Sequence, residues 1–369
     1  MLAVLRNVAA LIVLLAFAHG VQAQTPDWQK TWDETLAAAK KEGTVVVLGQ
    51  PSPAMRNEIL PKFTARYGIQ VEHIAGRSSE IVGRLRSERG SGIYSIDVFM
   101  SNASTSVNIL YGEKMLDPLK PLLILPEVTD GSKWKRGVPF FADPEKQYLL
   151  ILFSSVDSLL FVNRDYVKPE EMRSVQDLLN PKWKGKIATE DPAAAGGSGV
   201  QSAVHLYTQL GPEFVKKLYI EQGAVVQRDR RQLSDWMARG SHPICLTCHL
   251  DDARALIKEG FKLEEIFELK GIKNRITPTP SVLSVANKAP HPNAARVFVN
   301  WMASKEALEL YSREAQAATL RTDVDESFLD PRIIPKPGVD YVDNTDLTWV
   351  AKGQKEAGDK VRDLLKSSQ

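Results

Sequence analysis

The chain has 369 residues, of which 25% are charged and 43% hydrophobic, and its formal net charge is +2 at pH 7. These values suit a soluble globular chain long enough for two domains. They give no electrostatic argument for nucleic acid or an anionic membrane surface as a partner. We find no internal repeat and no low-complexity segment.

The N-terminus reads as a secretory signal peptide. It has a basic residue at Arg6, an apolar run from Val8 to Ala18, and small residues at Val21 and Ala23 before a cut. The run is shorter than the ~20 residues a spanning helix needs. Cleavage after Ala23 leaves Gln24 first, and Gln24 is not the Cys of a lipoprotein. The mature chain is therefore expected to be free and exported, in a compartment where a Cys245–Cys248 disulfide is chemically open.

A helix is predicted over Trp28–Glu42, capped by Asp27 and ended by Gly43, then a buried strand at Thr44–Leu48. Next come the loop Gln50–Pro53, a helix near Ala54–Tyr67, a strand at Gln70–Ile74 and the loop Gly76–Ser79. Helix Glu80–Arg89, strand Ile96–Met100 and the polar loop Ser101–Thr105 follow. This alternation implies a mostly parallel sheet with helices on both faces, and ligands then bind at the carboxyl ends of the strands. Further on, Tyr148–Phe153 and Leu159–Asn163 read as strands, Pro169–Leu179 as helix and Ile187–Thr189 as strand. The stretch from Asp191 to Gly199 is a small-residue loop that enters a helical run, Val200–Leu210. Helix Phe214–Gln222, strand Ala224–Gln227, helix Gln232–Arg239, strand Ile244–Thr247 and helix Ala253–Glu259 complete that series. Thr277–Ala286 is extended, with Pro278 and Pro280 keeping it away from a central position. Helices follow at Asn293–Met302, Lys305–Glu314 and near Lys352–Leu365.

Three stretches could carry chemistry. The small-residue loop is neither a P-loop nor a nucleophile elbow: no Gly-Lys-Ser/Thr follows it, and Val200 stands where the elbow needs Gly. It is either a plain turn or a helix start whose free N–H groups favour an anion. Arg228–Arg231 is a solvated charge run, or it places one arginine in a cleft. Cys245, Cys248 and His249 spell the haem-attachment pattern C-x-x-C-H. The same spacing allows a short disulfide, a soft metal half-site or a pocket wall.

The ordered set of pieces resembles periplasmic solute-binding proteins of ABC importers, and within them the ferric-ion-binding group. The matching pieces are Val45–Leu48 with Gly49-Gln50, Gly76-Arg77-Ser78-Ser79-Glu80, Asp97-Val98-Phe99, Pro181–Ile187, the glycine-serine loop and Arg321-Thr322-Asp323-Val324. The resemblance implies a two-lobed type II periplasmic-binding-protein α/β fold with a hinge. Lobe 1 would be 24–155 and 283–326, and lobe 2 would be 156–282 and 327–369. It also implies that the iron ligands are missing, since their places fall on Pro51, Asn102, Leu250 and Asp251. What it leaves is a ligand set of Ser52, Arg77, Ser78, Asn102, Gly197, Ser198, Arg230, Cys248, His249 and Asp251. Arg77 has a solvent-exposed alternative, and Ser78 a helix-capping one. The expected function is capture of a small organic anion, carboxylate or phosphorylated, and its delivery to an ABC permease in the inner membrane. A metal-binding or haem/redox protein is the alternative. No cofactor, no catalytic set and no nucleic acid are expected, and the chain is expected to be a monomer.

Overall fold

The computed structural model describes residues 27–76, 78–194 and 197–367, without the side chains of residues 78–80 and 251. The expected signal peptide and Arg77 therefore lie outside the described residues, as do the side chains of Ser78 and Asp251. Helix α1 spans Asp27–Glu42. It ends where Gly43 takes φ +75° and donates its N–H to the Ala39 carbonyl at 2.9 Å. Strand β1 follows at Thr44–Gly49, with Val45, Val47 and Leu48 fully buried. The expected helix near Ala54–Tyr67 forms as a wide turn, Met55–Ile59, that runs into α2, Leu60–Tyr67. Strand β2 is Gln70–Ala75, α3 is Ser78–Gly90 and β3 is Val98–Ser101. Strands β2, β1 and β3 pair in parallel, as the βαβ alternation requires.

Antiparallel strands extend this parallel core. Strand β14, Val282–Ala286, pairs with β3 on one side and with β6, Leu150–Ile151, on the other. Strands β4 (Leu116–Asp117) and β5 (Phe140–Phe141) complete a seven-stranded sheet. Here the expectation drawn from Pro278 and Pro280 fails. Both prolines precede the strand, and from Ser281 onward every residue has an N–H to donate, so β14 sits in the middle of the sheet.

The second sheet has five strands in the order β10-β9-β11-β8-β12. They are β8 Leu160–Asn163, β9 Ile187–Thr189, β10 Val225–Val226, β11 Ile244–Cys245 and β12 Leu263–Ile266. Strands β10, β9 and β11 are parallel, while β8 and β12 run against them. The two-residue period sorts the faces. Leu160, Val162, Ile187 and Ile244 enter one core, and Phe161, Ala188 and Cys245 enter the other. A small third sheet is formed by β7 (Ser155–Val156), β13 (Arg275–Thr277) and β15 (Val342–Asp343).

The stretch Pro169–Leu179 forms two separate turns, Pro169–Glu171 and Val175–Leu179. Ser174 breaks a continuous helix. Its hydroxyl accepts from the Gln176 N–H, and its own N–H donates to Asp177 at 2.8 Å, a capping arrangement that restarts the chain. Two of the stretches behind the family resemblance are scaffold. Asp97 is fully buried and accepts from the N–H groups of Val46 and His291, each at 2.7 Å, and its Oδ2 lies 2.8 Å from the His291 ring. Arg321 is likewise buried. It grips Asp323 with two nitrogens at 2.8 and 3.0 Å and donates to the Glu127 and Ala303 carbonyls.

Candidate binding cleft

Because β9, β10 and β11 are parallel, the loops after them leave the second sheet at one edge. After β9 the chain runs Glu190-Asp191-Pro192 into the small-residue loop, and helix α4 spans Ser198–Leu210. Gly197 stands at φ +101°, ψ 178°, a conformation open essentially to glycine alone. A Cβ on Gly199 would lie 2.5 Å from the Asp191 carbonyl oxygen and 2.7 Å from the Glu190 carbonyl group. The glycines thus press the start of α4 directly onto the strand-end turn.

After β10, the Gln227 side-chain oxygen accepts from the Arg228 and Asp229 N–H groups. Asp229 then caps helix α5, Arg230–Ala238, accepting from Arg231 and Gln232. After β11, Thr247 Oγ1 accepts the Glu190 N–H at 2.7 Å. His249 precedes helix α6, Leu250–Lys258. Its Nε2 lies 3.3 Å from Ser198 Oγ and 3.4 Å from Glu190 Oε1. Loops far apart in sequence thereby meet in one cluster of Ser198, His249 and Glu190.

Burial of Glu190 disfavours its charged form. The hydrogen bonds from His249 and Ser198, with the charges of His249 and Arg230, outweigh that effect and hold its carboxyl below the ordinary value. Arg230 is itself exposed, and Arg228 reaches Asp191 at 3.7 Å. A Ser-His-acid relay needs the hydroxyl and the acid on opposite ring nitrogens. Here both face Nε2, so the group can bind and orient a ligand but is not arranged as a hydrolytic relay.

The sequence-derived candidates sort as follows. Gly197, Ser198 and His249 meet in the cluster, and Arg230 acts on it through its charge. Cys248 is bonded to Cys245, with Cα atoms 5.6 Å apart. Both sulfurs are therefore used on each other, and in this form neither can hold a haem vinyl group or a metal. On the first sheet, Ser52 and Asn102 follow β1 and β3. Ser52 Oγ accepts from the Met55 N–H, and Asn102 Oδ1 from the Thr105 N–H. Arg77 is outside the described residues, and for Ser78 and Asp251 only the backbone is described, as the first residue of α3 and the second of α6. The sequence reading missed Glu190 and Thr247. A carboxylate immediately after strand Ile187–Thr189 was the available signal for Glu190. Nothing in the sequence distinguishes Thr247.

A separate cavity lies under the second sheet, lined by Ser202, His205, Leu246, Leu269 and Arg275 among others. It has room for about one water molecule, too little for an organic ligand. Burial and the nearby Arg275 charge push the His205 pKa down to about 3, so the ring is neutral there.

Residues 44–314 match the family model of bacterial extracellular solute-binding proteins, and the chain belongs to that family. Solved structures resemble it over most of its length. The Trichodesmium protein FutA, in complex with iron and citrate, is 18% identical with a TM-score of 0.62, covering 88% of this chain and 99% of that one. The apo ferric ion-binding protein A of Pasteurella haemolytica is 16% identical with a TM-score of 0.67, covering 89% and 99%. The periplasmic binding protein AfuA of Actinobacillus pleuropneumoniae, with fructose-6-phosphate bound, is 17% identical with a TM-score of 0.67, covering 88% and 99%. The fold is thus the type II periplasmic-binding-protein fold. A curated relative, iron uptake protein A1 of Synechocystis sp. (strain ATCC 27184 / PCC 6803 / Kazusa), is 26% identical over 131 residues, which span 36% of this chain and 33% of that relative.

Proposed function

We propose that the protein captures a small hydroxylated organic anion, a carboxylate or a phosphorylated compound, between its lobes and delivers it to an ABC permease. One observation carries this reading: the cluster of Ser198, His249 and Glu190 at the start of α4. The helix start with Ser198 suits an anionic group, and Arg230 adds positive charge nearby. Glu190 narrows the class. An ionised carboxylate beside the anion position repels a bare anion, so the ligand must also bring a hydrogen-bond donor for it. A hydroxyl is the simplest such donor. Proteins of the same fold were solved with iron and citrate and with fructose-6-phosphate, and citrate and fructose-6-phosphate are both hydroxylated anions.

Bare ferric ion fits less well. The iron-ligand places of the ferric binders fall on Pro51, Asn102, Leu250 and Asp251, where tyrosine phenolates are missing. Among the described residues, no three His, Cys, Asp or Glu side chains gather to hold a metal ion. The same reading includes export by a signal peptide cut after Ala23, residence in the periplasm as a monomer, and no catalytic activity.

The test is a thermal-shift and calorimetric screen of citrate, sugar phosphates, phosphonates and ferric chloride. A tight ligand at a hundredfold excess over Kd stabilises the native state by about 2.7 kcal/mol. We expect that response from a hydroxylated anion without iron. A response to ferric ion alone, with none to the organic anions, overturns the proposal.

A further inference from the structure

The Cys245–Cys248 bond closes a ring with only Leu246 and Thr247 between the cysteines. Cross-links over so short a loop restrain the unfolded chain least. Its main effect is therefore local, on the path of the chain as it leaves β11. That path is where the second-lobe cluster is assembled. Leu246 donates its N–H to the Ala188 carbonyl at 2.9 Å, prolonging the pairing with β9 by one residue. Thr247 then accepts the Glu190 N–H, and His249 turns into α6, its carbonyl accepting from Ala253. Leu246, Thr247 and Cys248 are all buried, and Cys245 is fully so. The two sulfurs lie on the sheet face that packs against α5 and α6, beside Leu233, Met237 and Ala253.

We propose that this disulfide is a positioning element of the binding site, and that it makes ligand capture depend on the oxidised state of the protein. With the bond closed, Thr247 and His249 are held in the register that fixes the Glu190 backbone and presents its carboxylate beside Ser198. Reduction by a dithiol transfers two electrons to the sulfurs. The S–S bond breaks, each sulfur gains a proton to become a thiol, and the reagent becomes the disulfide. The four residues are then joined by backbone alone. Thr247 can leave the Glu190 N–H, and His249 is no longer tied to the end of β11. The inference rests on the proposed binding function only for which ligand reports it. The geometric claim stands on the loop itself.

The experiment compares the full mature chain, oxidised and reduced in place by a phosphine or dithiol, with the double variant Cys245→Ser/Cys248→Ser. Three quantities are read: hydrogen exchange of the Glu190 amide, the ring nitrogen resonances of His249, and citrate binding by calorimetry. On reduction we expect Glu190 amide protection to fall at least tenfold, the His249 resonances to shift, and citrate affinity to drop about tenfold. Amides of the distant β1 should stay protected. Thr247→Val, with the disulfide intact, should reproduce the loss at Glu190. Reduced wild-type protein carries the test even if the double variant does not fold. Unchanged Glu190 exchange and His249 resonances on reduction overturn the proposal, as does general loss of protection including β1. If Glu190 protection falls but neither form binds any organic anion, the positioning role stands and the anion reading of the site is the one that fails.

Discussion

Glu190 is the residue on which specificity turns. Its N–H is taken by Thr247, and its carboxylate lies between His249 and the start of α4. Glu190→Gln keeps the shape and removes the charge. We expect it to erode discrimination between citrate and tricarballylate, which lacks the hydroxyl, by about tenfold, since a site built for a donor rejects the analogue without one through its own unpaired group. Paired calorimetric titrations measure this, and unchanged selectivity refutes it. The same substitution has a pH signature. Glu190's folded pKa is depressed below the ordinary value of a glutamate carboxyl. Its ionisation therefore contributes stability that is full above that value and lost as pH falls through the lower, folded pKa. The gap in unfolding free energy between wild type and Glu190→Gln should be about 1 kcal/mol at pH 7 and close below the ordinary carboxylate range. Denaturant titrations at pH 7 and near pH 3 check it. Gly199 is the neighbour that tolerates least. Gly199→Ala drives a methyl into the Glu190 and Asp191 carbonyls, and rigid backbone cannot move aside as a long side chain can. We expect a loss of about 1–3 kcal/mol in stability, with weakened anion binding.

At the scale of elements, what the sequence reveals is what period and end signals encode. Strand Thr44–Leu48 and helix Trp28–Glu42 were legible because β-branched runs and a terminal glycine are local signals. The helix start at Ser198 was legible within two residues for the same reason. Strand β12 was not, because Leu263-Glu264-Glu265-Ile266 has no β-branched residue before Ile266 and earns its place only by pairing with β8. The central position of β14 was misread because prolines outside a strand say nothing about its neighbours. Glu190 was missed because its partners Thr247 and His249 come from the loop after β11 and Ser198 from the far end of its own loop, and no spacing in the chain announces that meeting. Asp97 makes the opposite point. It stood out as part of a strand motif, and its role is to tie the start of the 291–302 segment to β1. Asp97→Ala leaves the buried Val46 N–H, the half-buried His291 N–H and the His291 imidazole without their acceptor. We expect it to cost about 3 kcal/mol of stability with little change in ligand affinity, because its contacts lie away from the Ser198 cluster. A comparable loss of citrate binding in the folded variant would contradict that separation.

At the scale of the molecule, the C-terminal segment joins what the sheets divide. Trp349–Gln354 runs without a break into helix α7, Lys355–Lys366. Leu347 and Val350 are buried in the core around the seven-stranded sheet, whereas Ala357, Val361 and Leu365 are buried in a core of the five-stranded sheet. Arg362 also donates to the Ala193 carbonyl, in the loop that leads to Ser198. The apolar stripe of one short helical stretch thus belongs to two cores in turn, and neither core can unfold without releasing residues that support the other. Val350→Ala and Val361→Ala each remove two buried methyl groups, at a cost of about 1–3 kcal/mol apiece. If the two sheets melted independently, each variant would lower its own transition and leave the other in place. The shared helix predicts instead a single calorimetric transition that both variants shift downward. Two resolved transitions, each moved by only one substitution, would show that the helix packs on both cores without coupling them.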